Sequence, residues 1–236
     1  MLAIEKLNQF YGESHTLWDL DLDVPEGQCT CVMGRNGVGK TTLMKAIMGE
    51  VAVKSGQLRY HNGKEGQVEL TKKAVEARSR LGIGFVPQGR QIFPLLTVEE
   101  NLRTGLAARS DGLRKIPERI YELFPVLKEM KHRRGGDLSG GQQQQLAIGR
   151  ALVIEPKLLI LDEPGEGIQP NIVAQIGQVI RQLIKEDGLT VLLVEQKLPF
   201  ARKYADRFVI MDRGRPVAKG EIAELSNELI KQHLTV

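Results

Sequence analysis

The stretch that decides the fold is Gly34-Arg35-Asn36-Gly37-Val38-Gly39-Lys40-Thr41. It matches the pattern G-x-x-x-x-G-K-[ST], and it lies between an apolar, strand-like run and a helical pattern through Leu43 and Ile47. Glycines let such a backbone curl until successive N–H groups and a helix N-terminus point at one place, where they hold phosphate oxygens. The stretch therefore predicts a site for the phosphates of Mg-ATP. The plain alternative is a Gly-rich turn between a strand and a helix.

Within this loop, Lys40 is expected to reach the β- and γ-phosphates, and the Thr41 hydroxyl is expected to bind Mg²⁺. The residues predicted to contact ATP are Gly34, Arg35, Asn36, Gly37, Val38, Gly39, Lys40, Thr41 and Thr42.

The whole-chain properties fit one α/β domain. The chain has 236 residues and a formal net charge of +4, which suits anionic ligands or a cytoplasmic membrane face but is too mild to indicate nucleic-acid binding. Cys29 and Cys31 lie in an apolar run and are expected to be reduced core thiols. With no signal-peptide pattern and no run of about 18 apolar residues, the chain is expected to be soluble and to reach a membrane only through a partner.

Short apolar runs alternate with helical patterns, as in a parallel sheet covered by helices on both faces. The predicted strands are 28–33, 83–86, 158–162, 190–194 and 207–211. The runs 158–161 and 191–194 are apolar throughout, which predicts neighbouring central strands. Residues 2–30 instead alternate apolar with polar residues, which predicts an antiparallel β subdomain.

Residues 97–153 have helical periodicity and predict a helical insert. Thr97 followed by Glu100 forms a capping-box pattern at its first helix. Apolar residues then recur at helical spacing from Ile116 to Leu127, which predicts helix through that stretch.

Two acids, Asp162 and Glu163, end the apolar run 158–161. The carboxyl edge of a parallel sheet is where ligands bind, so both acids are expected beside the triphosphate. Because successive strand residues face opposite ways, they are expected to have different roles: Asp162 orients Mg²⁺ through water and Glu163 polarises the attacking water. The alternative is a solvated acidic strand end.

The segment Leu138-Ser139-Gly140-Gly141-Gln142 has two interpretations, one structural and one functional, and they are compatible with each other. Ser139 and Gln142 form a capping box at the start of a helix over 140–153. The same helix N-terminus, with small glycines that allow close approach, can contact the γ-phosphate of a second nucleotide. The residues predicted to do so are Ser139, Gly140, Gly141 and Gln142.

The phosphate loop, this signature and Leu-Leu-Ile-Leu-Asp-Glu-Pro, in that order, resemble the ATPase subunits of ABC transporters over nearly the whole chain. The resemblance implies a P-loop NTPase core with a mostly parallel sheet flanked by helices, an N-terminal antiparallel β subdomain and a helical insert, all in one nucleotide-binding domain over 1–236. It also implies a head-to-tail dimer, in which Ser139 closes over ATP held by the partner. Tyr11 would stack on adenine, and Gln88 would sense Mg²⁺ and the attacking water.

Two positions depart from the usual family pattern. Gln196 stands where most members have a histidine that contacts the γ-phosphate, and it cannot become cationic. Gln169 stands where the dimer-contact loop usually has an aspartate. Both departures resemble the LivF-like ATPases of branched-chain amino acid and amide importers. The run 134–138 followed by four glutamines at 142–145 resembles the UrtE type found in urea importers, although such a run also suits a polar helix face.

The segment 89–102 is the expected coupling surface, because it begins beside Gln88 and contains the large apolar residues Ile92, Phe93, Leu95 and Leu96. If exposed, they would dock a cytoplasmic helix of a permease; otherwise they pack under the helical insert.

The family resemblance implies several partners: two integral-membrane permeases, a paralogous ATPase and, indirectly, an extracytoplasmic solute-binding protein. It implies a location at the cytoplasmic face of the cell membrane. The solute is urea or, as an alternative, a branched-chain amino acid. A rival interpretation is a soluble ABC-type ATPase of translation or DNA repair, but the chain has room for only one such domain and lacks sustained heptads between the phosphate loop and the signature.

Overall fold

The computed structural model describes residues 1–63, 66–109 and 111–234. Its strands are β1 (Leu2–Tyr11), β2 (Ser14–Val24), β3 (Cys29–Met33), β4 (Val53–His61), β5 (Gln67–Glu69), β6 (Ile83–Val86), β7 (Leu158–Asp162), β8 (Thr190–Val194), β9 (Arg207–Asp212) and β10 (Arg215–Glu221). Its α-helices are α1 (Lys40–Met48), α2 (Val75–Arg80), α3 (Val98–Gly105), α4 (Glu118–Leu123), α5 (Pro125–Glu129), α6 (Gly140–Leu152), α7 (Pro170–Asp187), α8 (Leu198–Tyr204) and α9 (Asn227–His233).

The larger sheet has six strands in the order β10-β9-β3-β8-β7-β6. The five strands from β9 to β6 are parallel, and β10 pairs with β9 antiparallel at the edge. Strands β7 and β8 are neighbours, with Leu158 opposite Thr190 and Asp162 opposite Val194. The predicted strands and the predicted pairing of 158–161 with 191–194 are therefore confirmed.

Both faces of this sheet are covered, as the continuous apolar runs predicted. Along β7, Leu159 and Leu161 join a core shared with α3, α6, α7 and α8, whereas Leu158 and Ile160 join a core that contains α1. Cys29 and Cys31 are free thiols, and both belong to the first core. Burial raises the pKa of Cys29 to about 12, so this thiol stays neutral and unreactive.

The smaller sheet is antiparallel and has the strand order β2-β1-β4-β5. The expectation of an antiparallel subdomain in residues 2–30 is correct but incomplete, because β4 and β5 follow α1 in the chain. Leu2 pairs with Tyr60 of β4, and such distant pairing leaves no local pattern in the sequence. The second core lies between the two sheets and encloses α1, which fixes the start of that helix relative to the larger sheet.

The predicted capping box at α3 is confirmed, since the Thr97 Oγ1 accepts the Glu100 N–H at 3.2 Å and the Glu100 carboxylate accepts the Thr97 N–H at 2.7 Å. The expectation of helix from Ile116 to Leu127 is wrong at two points. Helix α4 begins only at Glu118, and Pro125, which has no N–H to continue it, separates α4 from α5. Within the described ranges, no helix has both the length and the apolar character needed to cross a bilayer.

Candidate nucleotide site

The phosphate loop, residues 34–41, leaves the carboxyl end of β3 and runs into α1. Gly39 precedes the helix with a left-handed φ of 104°, and a Cβ there would lie 3.0 Å from a Leu17 methyl carbon. A Cβ on Gly34 would lie only 2.5 Å from the Met211 carbonyl oxygen. Because Gly39 has no side chain to cap α1, the N–H groups of its first turn are left to bind a ligand.

Lys40 is buried at the centre of this loop. Its ammonium group donates hydrogen bonds to the carbonyl oxygens of Gly34 at 2.8 Å and Arg35 at 2.9 Å. Burial lowers the pKa of Lys40, while the negative charges of Glu163 and Asp162 act in the opposite sense. The ammonium is therefore held among the groups that would surround a triphosphate.

Asp162 is the last residue of β7 and is 1% exposed. Neither of its carboxylate oxygens has a hydrogen-bond partner among the described residues. Burial raises the pKa of this carboxyl to about 6, and the Thr41 hydroxyl offsets part of that shift by favouring the charged form. A buried carboxylate without partners, beside a hydroxyl, is a set of oxygen ligands that fits Mg²⁺. Bound there, the ion would neutralise charge on the triphosphate.

Asp162→Asn is expected to change how the stability of the nucleotide-free protein depends on pH. The folded-state pKa of about 6 lies above the unfolded value of 3.8, so the protonated acid favours folding and this contribution is lost as pH rises from about 4 through 6. Asparagine cannot ionise. Between about pH 4 and 6, the free energy of unfolding of the variant should therefore rise by about 2 kcal/mol relative to that of the wild type. Melting temperatures measured in EDTA from pH 4.5 to 8 test this; a difference that is constant with pH contradicts it.

Glu163 lies outside the strand, in a turn with a left-handed φ of 52°. Its N–H donates to the Val194 carbonyl oxygen at 3.0 Å, and its carboxylate accepts a hydrogen bond from the Gln196 amide at 2.5 Å. Asp162 and Glu163 thus differ in environment, as expected. The cause is this turn at the strand end, because Glu163 is not part of the pleated strand whose alternation was the basis for that expectation.

A cavity of about 350 Å³ joins these groups. It is lined by Thr16, Asn36, Gly37, Gly39, Lys40, Thr41, Thr42, Gln88, Glu163, Glu166 and Gln196. The Gln88 amide donates to the Glu166 carboxylate at 2.9 Å, so the segment after β6 contacts the loop after β7 across this space. Thr16 and Glu166 were not predicted. Glu166 follows the two acids closely enough to be a candidate, whereas Thr16 comes from β2 and carries no signal in the sequence.

The signature segment, residues 138–142, lies at the start of α6. The Ser139 hydroxyl accepts the Gln142 N–H at 3.3 Å, and the Gln142 side chain accepts the Ser139 N–H at 2.9 Å, which confirms the predicted capping box. Residues 139–142 line a second cavity of about 500 Å³, together with Gln169. In the described part of the chain, this cavity shares no lining residue with the one at the phosphate loop.

Tyr11 lies in neither lining, as far as the described residues extend. It ends β1 and is 48% exposed. Beside it, the rings of Phe10 and His15 stack at 4.0 Å between centroids, and those of His15 and Trp18 stack at 3.6 Å. Adenine stacking by Tyr11 therefore stays a prediction.

The signature segment and the phosphate loop line separate cavities of one chain. The order of the phosphate loop, the signature and the two acids after β7 is that of an ATPase of the ATP-binding cassette class. Residues 17–166 match the family described as ABC transporter, and the chain belongs to that family. It is an ATPase whose cassette binds adenine nucleotide.

Two relatives align with almost the whole chain. The high-affinity branched-chain amino acid transport ATP-binding protein BraG of Pseudomonas aeruginosa is 43% identical, covering 92% of this chain and 91% of that protein. The probable branched-chain amino acid transport ATP-binding protein LivF of Archaeoglobus fulgidus is 38% identical, covering 95% and 94%.

Two solved structures show the same fold. A nucleotide-free ATP-binding cassette from an ABC transporter has a TM-score of 0.82 at 28% identity, covering 98% of this chain and 94% of its own. A dimeric cassette bound to ADP and phosphate in a post-hydrolysis state also has a TM-score of 0.82, at 24% identity, covering 94% and 99%.

Proposed function

We propose that this ATPase energises an ABC importer for a small amide or amino acid from the cytoplasmic face of the cell membrane. The whole described chain acts as one nucleotide-binding domain, with residues 97–153 as its helical subdomain. The observation that carries the proposal is an apolar docking surface, formed by Phe93 and Leu95 beside an open groove. Phe93 is 47% exposed and Leu95 is 79% exposed.

The docking surface is held in shape by a fully buried asparagine. The Asn101 amide donates to the carbonyl oxygens of Phe93 at 2.9 Å and Leu96 at 3.1 Å, and its oxygen accepts the Phe93 N–H at 2.8 Å. Arg150 lies over the Phe93 ring, 5.3 Å from its centroid. Ile92 and Leu96 are only partly buried. Large apolar groups fixed in an exposed position are typical of a surface that docks a partner.

The groove beside Phe93 has a volume of about 380 Å³. Its lining is Met48, Ser79, Ile83, Gly84, Phe85, Gln91, Phe93, Thr104, Gly105, Ala108, Arg150, Ala151 and Ile154. An open groove with this mixture of apolar and small residues suits one end of an amphipathic helix, so we assign it to a cytoplasmic helix of a permease.

The docking surface is connected to both halves of the nucleotide machinery. Gln88 precedes it and lines the phosphate cavity, where it contacts Glu166. Arg90 donates to the Gln143 side chain at 3.2 Å on the signature helix. Movement of a permease helix bound to Phe93 would therefore displace Gln88 beside the triphosphate and Arg90, which contacts the signature helix. This is how ATP binding and hydrolysis reorient a permease in our proposal.

The division of the two cavities supports a head-to-tail dimer, in which Ser139 and Gly141 close over ATP on the partner's phosphate loop. Thr41, Gln88 and Asp162 hold Mg²⁺ in each site. The partner is a paralogous ATPase or a second copy of this chain. Two permease subunits and an extracytoplasmic solute-binding protein complete the importer.

Two solutes are candidates. The run 134–138 and the glutamines at 142–145 favour urea. The similarity to BraG and LivF, which are branched-chain amino acid transport ATP-binding proteins, favours a branched-chain amino acid. Uptake of labelled urea and of labelled leucine into proteoliposomes that contain the purified complex decides between them. We expect ATP-dependent uptake of urea. Uptake of leucine instead assigns the complex to branched-chain amino acids, and failure to find any membrane partner rejects the importer proposal.

Leu95→Asp is expected to lower the amount of permease that co-purifies with this chain by about tenfold or more, because burying an unpaired carboxylate in an apolar interface costs several kcal/mol. The control is Leu113→Asp, which changes an equally apolar residue that is 57% exposed outside the docking surface. Equal recovery of permease with both variants would show that Leu95 does not contact it. Both proteins should melt as the wild type does, since neither residue is part of the core.

A further inference from the structure

A second buried carboxyl lies behind the phosphate cavity, and none of the roles described so far uses it. Glu195 follows β8 directly and is 2% exposed. Its Oε2 accepts the backbone N–H groups of Gln196 at 2.8 Å and Lys197 at 2.9 Å. Its Oε1 has no hydrogen-bond partner within residues 1–63, 66–109 and 111–234. The carboxyl therefore closes a tight turn through two N–H groups of its own chain.

This turn holds two side chains that reach the loop after β7. The Gln196 amide donates to Glu163 at 2.5 Å, and the Lys197 ammonium donates to the Gly165 carbonyl oxygen at 2.8 Å. Gly165 also packs against the carboxyl itself, since a Cβ at that position would lie 3.0 Å from the Glu195 Oε1. Glu195 is thus next to both contacts, and its hydrogen bonds to the backbone fix the position from which the Gln196 side chain reaches Glu163.

A buried carboxyl is a costly way to close a turn. Burial raises the pKa of Glu195, and the two backbone N–H groups and the Lys197 charge offset only part of that rise. Short polar residues close such turns without this cost. At this position the Glu195 carboxylate accepts the N–H groups one and two residues ahead, while the Gln196 side chain stays free to donate to Glu163.

We propose that Glu195 is a positioning residue for ATP hydrolysis. By fixing the turn 195–197, it places the Gln196 amide on one oxygen of Glu163 and leaves the other oxygen to polarise the attacking water. This inference rests on the roles proposed for Glu163 and Gln196. It predicts that Glu195 acts on turnover only through Gln196.

A double-mutant cycle tests this on the assembled complex, with kcat and KM for ATP measured for Glu195→Ala, Gln196→Ala and the double variant. Glu195→Ala is expected to lower kcat about tenfold and to change KM by less than about threefold, within the coupling found between residues in contact. In the double variant the loss should equal that of Gln196→Ala alone. Glu195→Gln should restore kcat to within about threefold, because its amide oxygen can accept both N–H groups.

If Glu195→Ala fails to fold, the same cycle is measured with Glu195→Leu, which fills the buried position but has no oxygen to accept either N–H group. Glu129→Ala, at an exposed position, controls for loss of a carboxylate and should leave kcat unchanged. Equal losses from Glu195→Ala in the wild-type and Gln196→Ala backgrounds overturn the proposal. If Gln196→Ala by itself leaves kcat unchanged, the role of Gln196 fails together with this inference, whereas the role of Glu163 is tested separately.

Discussion

Glu163→Gln is expected to keep ATP bound and to lower turnover by about 10²–10⁴-fold, the usual contribution of a general base. Glutamine keeps the size of the side chain and its hydrogen-bonding capacity, but it cannot accept the proton of the attacking water. The Gln196 amide already donates to one oxygen of Glu163, so the change removes the basic function with little change in shape. The site should then hold ATP that it hydrolyses only slowly.

Two measurements separate binding from chemistry. Titration with ATP and Mg²⁺ should give an affinity within about threefold of the wild type, whereas release of phosphate under saturating ATP should show the full loss. Glu129→Gln, at an exposed position on α5, is the matched control and should hydrolyse ATP at the wild-type rate. Turnover that is unchanged in Glu163→Gln would remove this residue from the mechanism.

The features that could be predicted from the sequence are those that local physical chemistry fixes. Strands β7 and β8 are buried on both faces, so every position is apolar and the run is visible without any knowledge of its neighbours. The capping boxes at Thr97 and Ser139 depend on two side chains three residues apart. In the phosphate loop, Gly34 and Gly39 have positive φ angles, and a Cβ at either position would crowd neighbouring atoms. The positions of these glycines in the sequence therefore predict the backbone conformation of the loop.

The features that could not be predicted depend on distant parts of the chain or on one dihedral angle. Thr16 reaches the phosphate cavity only because the second core brings β2 against α1. The direction of Glu163 depends on a left-handed turn that a strand pattern does not reveal. Glu195 has the sequence signature of an ordinary polar residue after a strand, and its importance appears only once its carboxyl is seen buried against Gly165.

Lys40→Ala is expected to weaken binding of Mg-ATP by about 30- to 100-fold, because a hydrogen bond to a charged group contributes about 2–3 kcal/mol. The loss should appear in the dissociation constant itself, measured by calorimetric titration, and turnover at low ATP should fall with it. Lys54→Ala changes an exposed lysine on β4 and should leave the affinity unchanged. An affinity for Mg-ATP within about threefold of the wild type in Lys40→Ala would contradict the assignment of the triphosphate to this loop.

The buried position of Lys40 makes this loss larger than that of a surface charge. Its ammonium is already desolvated and bonded to the carbonyl oxygens of Gly34 and Arg35, so a phosphate oxygen that reaches it replaces or joins existing acceptors without first removing water from the cation. Burial lowers the pKa of Lys40, and the negative charges of Glu163 and Asp162 oppose that lowering. Removing the ammonium therefore leaves two acids facing a triphosphate without the nearest positive charge, and added Mg²⁺ should recover only part of the affinity.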